Sequence, residues 1–83
     1  MSKNCKLFNM NDDGNQILMQ KDYDYESGSF TIKITGYHDD FVSVLILGYD
    51  DEKMRNKYFD EIDRSQAEKF FNNFIKMEKD ALF

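Results

Sequence analysis

The chain has 83 residues, a net charge of −5 and a single cysteine, Cys5. Those figures exclude an intramolecular disulfide, leave room for one small hydrophobic core, and argue against direct nucleic-acid binding, which needs a basic footprint to displace counterions from phosphate. Eight Phe and five Tyr supply a rich stock of large apolar side chains for that core and argue against disorder.

From the N-terminus, Lys6 to Met10 reads as a first short strand, and Asn11-Asp-Asp-Gly14-Asn15 as the turn after it, because Asp-Gly readily takes the positive φ of a tight hairpin. Gln16 to Tyr25 is the second strand and Glu26-Ser-Gly28-Ser29 the next turn. Phe30 to Thr35 alternates, with Phe30, Ile32 and Ile34 on one side and Thr31, Lys33 and Thr35 on the other, the period of a half-buried antiparallel strand. Gly36 to Asp40 turns again. Phe41 to Leu47 is apolar at nearly every position, which places it centrally in the sheet. Residues 54–62 read either way: Met54, Tyr58, Phe59 and Ile62 have helical spacing, yet the segment also suits a last meander strand, the reading preferred here. Ser65-Gln-Ala-Glu68 matches a capping box, and Ala67, Phe70, Phe71, Phe74 and Ile75 form an apolar stripe at helical spacing. The expected fold is α+β: one domain over 1–83, with an antiparallel meander of three to four strands over about 5–62 packed against one C-terminal amphipathic helix over about 66–80.

No run approaches the ~20 apolar residues of a membrane span. Met1-Ser-Lys-Asn-Cys5 lacks the apolar core of a secretory signal, so the cytoplasm is the expected compartment. Cys5, set in an apolar run, reads as a small buried hydrophobe.

Catalytic constellations are not evident. Asn9-Met-Asn11-Asp-Asp13-Gly14 resembles the start of a calcium loop, but its first position is Asn and its twelfth is Gln20 where a bidentate Glu is needed, so it reads as a hairpin turn. His38-Asp39-Asp40 contains a His-Asp pair, but His38 is the only histidine, and a catalytic zinc site needs three protein ligands; an exposed turn is the reading. No acid falls within an apolar run, where burial would raise its pKa for general-acid work. A non-catalytic protein without metal or cofactor is expected.

The acids themselves are unevenly placed. Residues 1–52 hold ten carboxylates against four lysines, a balance of −6, while residues 53–83 balance to +1. Alternate turns of a meander share an end of the sheet. Asp22, Asp24 and Glu26 are therefore expected beside Asp50, Asp51 and Glu52, with Asp12 and Asp13 near Asp39 and Asp40 at the other end. Acidic turns also simply maintain solubility. Their functional reading is a protein-binding face of carboxylates with Tyr23, Tyr25, Tyr37 and Tyr49 as aromatic anchors.

The succession Phe30-Thr-Ile-Lys-Ile-Thr-Gly36, an acidic turn, Val42-Ser-Val-Leu-Ile-Leu47, a second acidic turn and Ser65-Gln-Ala-Glu-Lys-Phe-Phe-Asn-Asn-Phe74 resembles small acidic phage anti-CRISPR proteins, in particular the type II-A inhibitors. The resemblance covers a little over half the chain and rests on element order; where those inhibitors carry an N-terminal helix, this chain reads as a hairpin. It implies a phage- or mobile-element-encoded inhibitor whose acidic turns stand in for phosphate on a basic, nucleic-acid-binding partner such as a CRISPR effector. The resemblance carries over no residue roles, since the acids do not align one for one; the partner-binding residues expected from the placement of the acidic turns are Asp22, Tyr23, Asp24, Tyr25, Glu26, Asp39, Asp40, Asp50, Asp51 and Glu52. The alternative is an accessory or structural subunit that self-associates, as a homodimer, through an exposed edge strand.

Overall fold

The computed structural model describes residues 4–10, 14–39 and 41–81, the last three of these by their backbone alone. Four strands form one antiparallel sheet in the order β1-β2-β3-β4, with β1 Cys5–Asn9, β2 Gln16–Asp24, β3 Ser29–Tyr37 and β4 Val42–Tyr49. Two helices follow, α1 Glu52–Glu61 and α2 Arg64–Ala81. The α+β class and the meander order are as the sequence suggests.

Three local expectations are corrected. Residues 54–62 are not a strand. Asp51 caps α1, its Oδ1 accepting the Lys53 N–H at 2.9 Å, and the side chains at i, i+4 and i+7, Arg55, Phe59 and Ile62, are all buried. A strand would have sent Arg55 and Phe59 to the same face but Ile62 to the opposite one, so only helical geometry buries all three together. The sheet therefore ends at Tyr49, and two helices cover it. The second helix also starts earlier than the Ser65 capping box implies. Asp63 Oδ1 accepts the Gln66 N–H at 3.0 Å, the N-cap to N3 bond, and leaves Ser65 exposed inside the first turn. Lastly, β4 is an edge strand, not a central one.

The register explains the core. Phe8, Ile17, Gly36 and Ser43 lie in one row, Lys6, Met19, Ile34 and Leu45 in the next, and Lys21, Ile32 and Leu47 in the third. This face meets the helices. Ile17, Met19, Ile32, Ile34 and Phe59 are fully buried, with Ile62, Ala67, Phe71 and Phe74 around them. The predicted stripe of α2 is thus the core, with Phe70 and Ile75 at its margin. The fit is close at Gly36, where a Cβ would stand 2.7 Å from Cδ2 of Phe74. Two lysines work inside this layer. Lys6 Nζ donates to the carbonyls of Phe59 (2.6 Å), Asp60 (3.3 Å) and Ile62 (3.1 Å), satisfying the C-terminal end of α1. Lys6 and Lys21 both stand 5.0 Å from the centroid of the Phe59 ring.

Among the described residues the other face carries no helix. It presents Leu7, Leu18, Lys33, Val42, Val44 and Ile46 beside polar neighbours. Cys5 is exposed here, contrary to the buried reading, because the odd residues of β1 share the open face.

An acidic, tyrosine-bearing end of the sheet

The candidate site is built by two connections that leave the same end of the sheet. Tyr23 pairs with Phe30 and Phe30 with Tyr49, so the β2–β3 turn and the β4–α1 junction are neighbours. Asp22, Asp24, Glu26, Asp50, Asp51 and Glu52 therefore gather at one end, the juxtaposition inferred from the meander. All six are exposed.

The β2–β3 turn is held by its own side chains. Asp24 accepts the Glu26 N–H at 3.0 Å through Oδ1 and the Ser27 hydroxyl at 2.9 Å through Oδ2. Gly28, at φ +71°, closes the turn and donates its N–H to the Asp24 carbonyl at 2.8 Å. The Ser27 hydroxyl, then the Glu26 N–H, hold the Asp24 carboxyl below the usual 3.8. Asp22 Oδ1 accepts the N–H of Tyr23 at 2.8 Å, and Asp51 is engaged as the cap of α1.

The aromatic anchors separate into two kinds. Tyr23 meets Tyr25 and Phe30 edge to face, with centroids 4.9 and 5.0 Å away, and Tyr25 remains 89% exposed among the carboxylates. Tyr49 is half-buried against Tyr58 at 6.0 Å, and that burial pushes its phenol up from 10.0. It belongs to the packing. Tyr37 lies at the opposite end of β3, away from the six acids.

Behind this end sits a residue that the sequence reading missed. Arg55 is 7% exposed. Its Nη1 donates to the carbonyls of Asp22 (2.7 Å) and Thr31 (3.1 Å), and its Nε to Oδ1 of Asn56 (2.8 Å). The guanidinium also lies 5.6 Å from the Phe30 ring centroid. The signal was present in the helical spacing of Arg55, Phe59 and Ile62, but the strand reading of that segment hid it.

The cations nearest the core are thus directed to carbonyls and rings, not to carboxylates. Among the described residues the one ion pair is Arg64 with Glu68, at 3.4 Å and one helical turn apart. The six acids of the candidate end have no cationic partner within the described residues.

At the other end, Asp12, Asp13 and Asp40 lie outside the described residues, and Asp39 is exposed. His38 is not the exposed turn residue expected. Its ring stacks between Phe41 (4.0 Å) and Phe71 (4.5 Å), with Phe74 edge-on at 6.4 Å. Its Nε2 is buried without a hydrogen-bond partner among the described residues, and burial lowers its pKa below 6.5. No group of three or more His, Cys, Asp or Glu is arranged to hold a metal ion among the described residues, and no described helix is long and apolar enough to cross a membrane. A groove of about 360 Å³ lined by Cys5, Lys6, Leu7, Phe8 and Ile62 runs along β1 and contains no carboxylate.

Comparison of the chain with protein-family models, with curated proteins and with solved structures yielded no match.

Proposed function

We propose that the chain is a non-catalytic protein-binding module that docks its acidic, tyrosine-bearing end onto a basic surface of a nucleic-acid-handling partner and blocks it. The observation that carries this reading is the set of six gathered carboxylates without a cationic partner among the described residues, beside an Arg55 that is directed to backbone carbonyls. Carboxylates left free in this way can meet Lys and Arg of a partner where phosphates would otherwise sit. Tyr23 and Tyr25 supply apolar contact area at little cost in side-chain entropy, and the hydrogen-bonded Asp24 turn holds them in place beforehand. The resemblance of Phe30 to Met77 to type II-A anti-CRISPR proteins makes a CRISPR effector the first partner to try. A phage-encoded inhibitor would meet it in the host cytoplasm.

The test is a salt-gradient pull-down from a low-GC bacterial lysate, followed by titration of the captured partner with the wild-type chain and with an E26K/D50K double variant. Glu26 and Asp50 are chosen because neither side chain makes a hydrogen bond among the described residues, whereas Asp51 caps α1. The reading expects a basic nucleic-acid enzyme released at moderate salt and a loss of binding in the double variant. Binding that is indifferent to both salt and charge reversal would sink it.

A further inference from the structure

Strand β4 breaks the usual rules for a sheet edge. Natural edges are guarded by charge, Pro, a bulge or shortness. The β1 edge is guarded in that way, being five residues long and bearing Lys6. β4 has eight residues, Val42-Ser-Val-Leu-Ile-Leu-Gly-Tyr49, without a charge or a Pro. Its Val42, Val44 and Ile46 are 60%, 53% and 60% exposed on the open face. On the helix side, Leu45 and the exposed Met77 flank a groove completed by Ser43, Val44, Phe74 and Glu78.

The direction of the free backbone groups is also determined. The His38 N–H donates to the Phe41 carbonyl at 3.0 Å, so 38 and 41 are a hydrogen-bonded pair. Pairs of an antiparallel ladder alternate in type, so Ser43, Leu45, Leu47 and Tyr49 turn their polar groups to β3, and Val42, Val44, Ile46 and Gly48 turn theirs outward. The same stretch that exposes apolar side chains therefore exposes a row of donors and acceptors.

We infer that β4 pairs with β4 of a second copy of this chain, antiparallel about a two-fold axis at Leu45, joining two sheets into one of eight strands. A strand paired antiparallel with itself is self-complementary under a two-fold. Centring on Leu45 sets Val44 opposite Ile46 and Val42 opposite Gly48, which gives every outward N–H and C=O of those four residues a partner. Centring on Val44 or Ile46 instead leaves Gly48 or Val42 beyond the partner's strand. Charge favours a copy over a basic partner, since β4 offers no carboxylate for Lys or Arg to meet, and pairing two neutral strands places no like charges inside the ladder. A contact built on a single eight-residue strand is narrow for a standard stable interface, which buries ~800 Å² per partner, so the dimer is expected to be weak and reversible. Glu78 beside the groove and the net charge of −5 oppose it from outside the ladder. Salt therefore tightens this contact, the reverse of its effect on docking at the acidic end, and the two contacts are independent.

Sedimentation equilibrium of the full chain at low and high salt tests the inference, with reductant present because Cys5 is exposed. The expected result is a monomer–dimer equilibrium in the high-micromolar range that tightens with salt. V44K and I46K should each weaken it by about tenfold or more with the far-UV spectrum unchanged. In a C5S background, L45C should form an intermolecular disulfide under mild oxidation, because a non-hydrogen-bonded pair brings the Cα atoms to roughly 4.5 Å. A monomer at every concentration and salt overturns the proposal, as does a dimer indifferent to V44K and I46K. A dimer without the L45C cross-link overturns the Leu45-centred register.

Discussion

At one end of the sheet a buried guanidinium faces two backbone carbonyls; at the other an imidazole is held between two phenyl rings. Both groups can carry charge and both sit against Phe side chains, but their solvation differs. A buried guanidinium needs hydrogen-bond acceptors, and for Arg55 the fold supplies the Asp22 and Thr31 carbonyls at 2.7 and 3.1 Å. His38 can become neutral, so its Nε2 is buried without a partner among the described residues, and its ring stacks at 4.0 and 4.5 Å on Phe41 and Phe71. The lesson is one of division of labour. Arg55 braces the acidic end from behind without neutralising its carboxylates, whereas the His38 end is an apolar stack that favours the uncharged imidazole.

The comparison is broken most severely by removing the guanidinium. Arg55→Met keeps the aliphatic stem but withdraws the charged donors from the Asp22 and Thr31 carbonyls. Charged hydrogen bonds of this kind contribute about 1.5–3 kcal/mol each, so a loss of roughly 3 kcal/mol is expected in urea unfolding. Arg55→Lys should recover only part, because one ammonium cannot reproduce the planar fork toward both carbonyls and Asn56. A Met variant as stable as the wild type would show that the brace is decorative.

The His38 end gives a smaller effect with a definite sign. Burial lowers the folded-state pKa below 6.5, while Glu78 and Asp39 pull it back up. The unfolded chain therefore takes up its proton at higher pH than the folded chain does. Stability is unaffected well above 6.5, falls as the pH drops through that value, and levels off once folded His38 is itself protonated. Thermal unfolding from neutral to mildly acidic pH should show this fall, and His38→Phe should flatten it. A wild-type profile without the fall would mean that the ring stack leaves the imidazole as easy to protonate as in the unfolded chain.

How far the sequence reveals these two ends depends on the range of the signal. The acidic gathering is legible because it follows from strand alternation and turn placement alone, and the α2 stripe is legible because Ala67, Phe71 and Phe74 repeat at helical spacing. Arg55 was hidden by a short segment whose apolar residues fit two periods, and Asp51, which would have decided for a helix, looked like part of an acidic turn. The edge position of β4 was illegible for another reason. A run apolar at every position usually signals burial on both faces, but here Leu45 and Leu47 face the helices while Val42, Val44 and Ile46 face outward. His38 was misplaced because its stacking partner Phe71 comes from α2, far along the chain.

The smallest effect sharpens the comparison at the acidic end itself. If that end is held in shape before it meets a partner, the Asp24 carboxylate must be engaged in the free protein, and its titration reports this directly. Ser27→Ala removes the hydroxyl that contributes most to lowering the Asp24 pKa, leaving the Glu26 N–H as the next contributor. The Asp24 side-chain carboxyl resonance, followed by NMR through acid titration, should therefore sit below 3.8 in the wild type and move back toward it in the variant. Unfolding free energy should change little, since the turn is exposed and surface substitutions usually fall within about 0.5 kcal/mol. If wild-type Asp24 already titrates at 3.8, the turn is loose in solution. Tyr25 would then have to be ordered at the moment of docking, and partner affinity would carry that entropic cost.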